Sequence, residues 1–194
     1  SAMSQTDLKY VIGYSSVSHM GYVLMGVATL DRIGVGGAVL QMFSHGIMTA
    51  LMFLLVGAIY DRTHNRDIRV LNGLFGRMKV TSFFFAIAGL ASLGLPGLSG
   101  FIAEFMVFTG AFRTYLPLAV LAVIGAALTA VYILRLLART FFGEGDAQWA
   151  HLTDASPVEK AVGGAFVMIL IFVGVWPEPL MRVINIGVNG IPGV

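Results

Sequence analysis

The chain contains no cysteine, which removes disulfides, thiolate metal sites and a cysteine nucleophile together. Charge is scarce as well: 11% of the 194 residues are Asp, Glu, Lys or Arg, and the formal net charge is only +2. The few basic residues fall in loops and near helix ends, so no concentrated basic face is offered to a nucleic acid. Also missing are a Walker lysine, a serine nucleophile elbow, a His-Glu pair at metalloprotease spacing and any flavin or haem attachment pattern. Gly34-Val35-Gly36-Gly37 is too weak a pattern for a phosphate loop and has no strand before it. The chain alone therefore has no equipment for redox chemistry. No signal peptide is read at Ser1 to Asp7, which is polar and short, and the first apolar run already carries Lys9 and His19.

What is abundant is apolar surface, at 57% hydrophobic residues, in runs too long for the core helices of a soluble domain. A spanning helix needs roughly 20 residues, and five segments qualify: 8–30, 35–60, 80–112, 116–142 and 158–176. The expected fold is an all-α polytopic transmembrane bundle of five spans, forming one domain over residues 1–194. The connection at 61–79 reads as a solvated charged loop, and Pro177-Glu178-Pro179 ends the last span before a weakly amphipathic tail. With an odd number of spans, Lys9, Arg62, Arg66, Arg69, Arg77, Lys79, Arg135, Arg139 and Lys160 share the side of the N-terminus. Only Arg32, Arg113 and Arg182 lie opposite, so the positive-inside rule puts the N-terminus in the cytoplasm and the C-terminus outside. Gly34, Gly36, Gly37 and Gly125 are read as sites of close helix approach.

The third run is longer than a span because Gly94, Pro96, Gly97 and Gly100 interrupt it at 94–100. Proline and neighbouring glycines cost a helix its hydrogen bonds, and membrane helices are broken in this way where they border a polar cavity. Glu104 follows about one turn later, and a carboxylate in hydrocarbon is a functional-site hypothesis by default. His19 and His45 stand mid-span on neighbouring segments, accompanied by serines and Gln41. An imidazole donates and accepts at once, as a proton relay requires. Taken singly, each histidine fits a packing role equally well, and the polar chain formed by both is the sharper reading. Neither has a second ligand at helical spacing, so no metal site is expected. On chemistry alone Lys9 is a lysine snorkelling to the interface, and Arg135 and Arg139 are anchors that complement a helix dipole.

Asp7-Leu8-Lys9 with Tyr14-Ser15-Ser16-Val17-Ser18-His19-Met20-Gly21, then Gln41-Met42 with Ser44-His45-Gly46, Arg62-Thr63-His64, and Gly94-Leu95-Pro96-Gly97 through Gly100-Phe101 to Glu104-Phe105 form a specific pattern. It closely resembles the antiporter-like subunits of respiratory complex I, of the chain M or subunit 4 type. The likeness runs from about Met3 to Gly143, and the last fifty residues share only hydropathy. The resemblance implies about fourteen spans in two inverted repeats, each with a broken helix, of which this chain would be the last five and half of the antiporter-like fold. It implies that Lys9, His19, His45 and Glu104 are proton-relay residues, with Glu104 the terminal carboxylate. Tyr10 stands where the family usually has arginine, and the first repeat is absent, which suggests a C-terminal fragment or a split subunit.

The resulting expectation is a proton-translocating membrane subunit, or part of one, of a redox-driven NADH:quinone oxidoreductase, not catalytic alone. No cofactor is expected in this chain, with NADH, flavin, iron-sulfur clusters and quinone in partner subunits. The expected partners are other membrane subunits of such an assembly, the missing N-terminal half and lipid, in a bacterial-type plasma membrane or an energy-converting organelle membrane. A membrane-bound hydrogenase, a multi-subunit sodium/proton antiporter, or a non-conducting scaffold in such a complex are the alternatives.

Overall fold

A computed structural model describes residues 2–193. Seven α-helices run α1 Leu8–Ala28, α2 Arg32–Thr63, α3 Lys79–Ser92, α4 Ser99–Thr114, α5 Leu116–Thr140, α6 Pro157–Val175 and α7 Glu178–Asn189. Short 3-10 turns lie at Ala2–Ser4, Leu74–Gly76 and Ala147–Trp149. Among the described residues, only α2, α5 and α6 are both long and apolar enough to cross a membrane by length and composition. The 21 residues of α1 include serines and His19, which dilute its apolar character, and α3 has only 14 residues.

The 32-residue α2 is the central post, touching α1, α3, α4, α6 and α7. At 1.5 Å per residue it is roughly 48 Å long, more than the hydrocarbon thickness. Its first turn is fixed by Asp31, whose carboxylate accepts from the Ile33 and Gly34 N–H groups. Residues 32–34, expected in a loop, are therefore helical. Gly37 lets α4 approach closely, since a Cβ there would come within 2.7 Å of Met106 Cβ and of Val107 N. The outward faces of α5 and α6 are apolar, with Leu121, Ile124, Met168, Phe172 and Val175 exposed. That is the surface a helix presents to lipid.

Two expectations need correction. The stretch at 61–79 is an ordered cap on the bundle. Ile68 N–H donates to Thr6 O at 2.8 Å and Leu8 N–H to Arg66 O at 2.9 Å, forming a short antiparallel bridge between Asp7 and Asp67. Arg62 makes a two-pronged contact with Glu159 at 3.0 and 2.7 Å. The tail is also more than weakly amphipathic: most of it is the helix α7, which buries Ile184 and Val188 in a cluster with Val35, Leu40, Ala103 and Val173. The signal was the i, i+4 spacing of Ile184 and Val188, which the prolines before them obscured.

The α5–α6 connection contributes a long-range cap. Met78, at the start of α3, offers no side-chain cap, and Asp154 takes its place by accepting from Val80 N–H at 2.8 Å and from Thr81 N–H and Oγ1 at 3.2 and 3.1 Å. Burial opposes its ionisation, but these bonds and one from Ala155 N–H outweigh it and hold the carboxyl below the usual carboxylate range. Asp154→Ala is expected to lower stability by about 1 kcal/mol, the usual worth of a cap, seen as a lower melting temperature in detergent. Because the folded pKa is depressed, this contribution is complete above the ordinary aspartate value of about 3.9 and is lost as pH falls through the folded value. The variant should accordingly lose part of the acid sensitivity of melting.

Candidate functional site

The break is built from residues 93–98, between α3 and α4. Gly94 takes φ +65° and closes α3 with a Schellman turn: its N–H donates to Ala91 O and that of Leu95 to Leu90 O, both at 3.2 Å. Gly97, at φ +92°, turns the chain back, and Ser99 and Gly100 are already the first residues of α4. Gly100 is needed there because a Cβ would strike Ala91 O at the end of α3. Ser99 Oγ lies 2.6 Å from Ser44 Oγ, tying the start of α4 to α2.

One turn into α4, Glu104 points back at the break, so that a Cβ on Gly94 would lie 2.5 Å from Glu104 Oε2. Its other oxygen, Oε1, is 3.5 Å from His19 Nδ1. The same Nδ1 lies 3.3 Å from Gln41 Nε2. When Nδ1 carries a proton it faces an acceptor in Glu104, and when it does not it faces a donor in Gln41. Both states of His19 are accommodated without moving the ring. His45 lies beside it, the two rings tilted by 39° with centroids 5.2 Å apart. Thr49 Oγ1, which donates to His45 O, sits 3.1 Å from His45 Nε2 and so accepts a proton-bearing Nε2, leaving Nδ1 free. His19 is 1% exposed and Glu104 6%, and His19 Nε2, His45 Nδ1 and Gln41 Oε1 are buried without a protein partner. Water is what ordinarily satisfies such atoms.

Helices α1, α2 and α4 thus bring His19, His45 and Glu104 into one cluster beside the break. Lys9 is not part of it. It is exposed in the first turn of α1, roughly 15 Å along the axis from His19 at 1.5 Å per residue. Among the described residues no group of three or more His, Cys, Asp or Glu is arranged to hold a metal. Reading the sequence missed Ser99, Tyr22, Thr129 and Tyr132. Tyr22 and Tyr132 each had a signal, since they lie at i+3 from His19 and from Thr129 on one helix face.

The transmembrane family model described as NADH:quinone oxidoreductase/Mrp antiporter matches residues 1–129. The chain belongs to that family. NADH-quinone oxidoreductase subunit M of Rickettsia prowazekii is 36% identical over 191 residues, covering 98% of this chain and 39% of its own length. NAD(P)H-quinone oxidoreductase chain 4 of Synechococcus sp. WH7803 is 40% identical over 187 residues, covering 91% of this chain and 34% of its own length. At 98% of this chain, the first of these alignments takes in nearly all of the last fifty residues, which were expected to share only hydropathy. Among solved structures, respiratory complex I from Thermus thermophilus superposes with a TM-score of 0.92 at 31% identity, over 97% of this chain and 40% of that one. The Mrp complex from Dietzia sp. superposes at 0.86 and 22% identity, over 97% of this chain and 43% of that one, a likeness of fold. The chain spans about two fifths of the length of these relatives. It is an integral membrane chain of the antiporter-like fold.

Gly94 tests the geometry of the site. In Gly94→Ala the new methyl meets both a left-handed backbone and the Glu104 carboxylate. A destabilisation of about 1–3 kcal/mol is expected, measured as a drop in melting temperature. Gly76→Ala, where a Cβ meets nothing within 4 Å, is expected to leave melting unchanged.

Proposed function

We propose that this chain is the C-terminal part of a proton-translocating, antiporter-like membrane subunit of an NADH:quinone oxidoreductase, and that it is not catalytic alone. The observation that carries the reading is the contact of His19 Nδ1 with Glu104 Oε1 at a broken helix, with the His45 ring beside that of His19. His45 and His19 relay a proton that Glu104 exchanges with the outer side or with a neighbouring subunit, while Lys9 loads the cytoplasmic mouth. Five spans are assigned to α1, α2, α3 with α4, α5 and α6, forming one of two inverted repeats. The excess of Lys and Arg on one side supports a cytoplasmic N-terminus in a bacterial-type plasma membrane or an energy-converting organelle membrane. The partners are the N-terminal half, other membrane subunits and lipid. Partner subunits carry the NADH, flavin, iron-sulfur and quinone chemistry, and this chain moves the protons.

A second reading is supported by a likeness to the membrane-bound sulfane sulfur reductase, an archaeal respiratory complex, at TM-score 0.88 and 27% identity over 93% of this chain and 30% of that one. The same module would then serve a hydrogenase-like or Mrp-like assembly with a different electron-transfer or antiport partner. Subunits that co-purify with the chain decide between the two.

Proton uptake is to be measured beside electron transfer in vesicles holding the assembled complex. Glu104→Gln and His19→Ala are each expected to reduce proton uptake by roughly 10²-fold or more, as loss of a proton-transfer group does, with assembly preserved. Unchanged uptake in assembled Glu104→Gln complex would leave the chain as a scaffold and overturn the proposal.

A further inference from the structure

Gln41 is only 2% exposed in the apolar length of α2, one turn before His45 and one turn after Gly37, where α4 presses in. A carboxamide is seldom buried so fully unless both of its ends are hydrogen-bonded. Only one end is: Nε2 lies 3.3 Å from His19 Nδ1, while Oε1 has no partner among the described residues. The same His19 nitrogen also faces Glu104 Oε1, at 3.5 Å. Two side chains therefore compete for one ring atom.

The ring of His19 is poorly placed to settle that competition by turning over. It is 1% exposed and rests against the rings of Tyr22 and His45, with centroids 5.9 and 5.2 Å away. What remains free to change is the proton on Nδ1 and the direction of the Gln41 amide. The NH₂ group of Gln41 donates only to a bare Nδ1, which puts the proton of a neutral His19 on Nε2. A bare Nδ1 opposite an ionised Glu104 would set two acceptors against each other, so this arrangement goes with a protonated Glu104. When Nδ1 carries a proton and donates to an ionised Glu104, the Gln41 NH₂ group faces a donor instead. Half a turn of the amide removes that conflict and brings the unpaired Oε1 to Nδ1–H.

We infer that Gln41 is a positioning residue for proton transfer between His19 and Glu104, its amide selecting the protonation state of Nδ1 by offering a donor in one orientation and an acceptor in the other. This rests on the reading of His19 and Glu104 as a proton-exchanging pair. In the forward step the Nδ1–H bond of a doubly protonated His19 breaks and an O–H bond forms on Glu104 Oε1. Imidazolium and carboxylate become neutral imidazole, protonated on Nε2, and carboxylic acid. One proton has moved, and nothing is oxidised or reduced. The amide then turns its NH₂ group to the bare Nδ1 and opposes return of the proton; the reverse step needs Oε1 turned back. Gln41 keeps both of its amide protons throughout.

The test uses the full-length chain in its assembled complex, reconstituted in vesicles, with proton uptake followed beside electron transfer. The protonation of His19 is read by nitrogen magnetic resonance on ring-labelled histidine, its signal being the one missing from the His19→Ala complex. In the unaltered complex a neutral His19 is expected to carry its proton on Nε2. A neutral ring protonated on Nδ1, or a ring doubly protonated throughout the working pH range, overturns the inference whether or not any variant at Gln41 assembles. Gln41→Met keeps the length of the side chain and removes donor and acceptor together. Its uptake is expected to fall about tenfold, the scale of one hydrogen bond, and the Nδ1–H tautomer is expected to appear. A packing role would survive in methionine, so either readout left unmoved in the assembled variant counts against the positioning role. If Glu104→Gln abolishes uptake while Gln41→Met leaves it intact, that role alone falls. If Glu104→Gln also leaves uptake intact, the reading beneath it falls too.

Discussion

Glu104 Oε1 stands 3.5 Å from His19 Nδ1, and the cost of keeping that carboxylate inside an apolar bundle sets the terms for the helices around it. A charged side chain at the centre of a membrane helix costs about 2.5–3.5 kcal/mol on insertion scales. A hydrogen bond to a charged group returns about 1.5–3 kcal/mol. The two are of the same size, so the contact offsets much of the cost of holding a carboxylate inside the bundle. A stronger clamp, such as a two-pronged arginine, would fix the charge in place. The geometry at His19, shared between Glu104 and Gln41, lets Nδ1 meet an acceptor or a donor without moving the ring.

That pair is placed by the break rather than by α4 alone. Three helices hold the unwound segment in position: α3 ends on Gly94, α2 reaches it through the Ser44–Ser99 hydroxyl contact, and α6 packs its Gly174 directly against Gly97 O and Leu98. A side chain at Gly174 would collide with backbone, which cannot yield as a flexible side chain would. Helix α6 therefore supports the site without contributing a polar group to it. This gives the last fifty residues a role that hydropathy alone conceals.

The parts of this architecture that were legible in the sequence are those encoded locally. Apolar run length announced the helices, and Gly94, Pro96 and Gly97 announced the break, because proline and glycine act on the backbone where they stand. His19, His45 and Glu104 stood out because polar groups are rare in such runs. The rest depends on residues far apart in the chain. The Tyr132–Ser15 contact joins residues 117 apart and the Asp154–Val80 cap residues 74 apart. Neither residue carries a pattern that betrays its partner. The charged stretch at 61–79 was misread for the same reason: Arg62 looks solvated until Glu159, 97 residues away, is folded onto it.

The contrast between the ends of the bundle and its middle follows from solvent. At the end where α1 begins, Arg62 and Glu159 keep only 18% and 23% of their side-chain surface exposed, and their two-pronged bond offsets the desolvation that this burial brings. The arginine fork supplies direction as well as attraction, and it fastens the start of α6 to the end of α2. Ser156 and Glu159 close a capping box there, which makes the first turn of α6 rigid. Rigidity at that end is transmitted along the helix to Gly174 and so to the break. In the middle the pairing is looser: among the described residues His19 Nε2, His45 Nδ1 and Gln41 Oε1 have no protein partner, and water ordinarily satisfies such atoms. A bundle pinned at its solvated end by a strong two-pronged ion pair can leave polar groups at its centre to be satisfied by water.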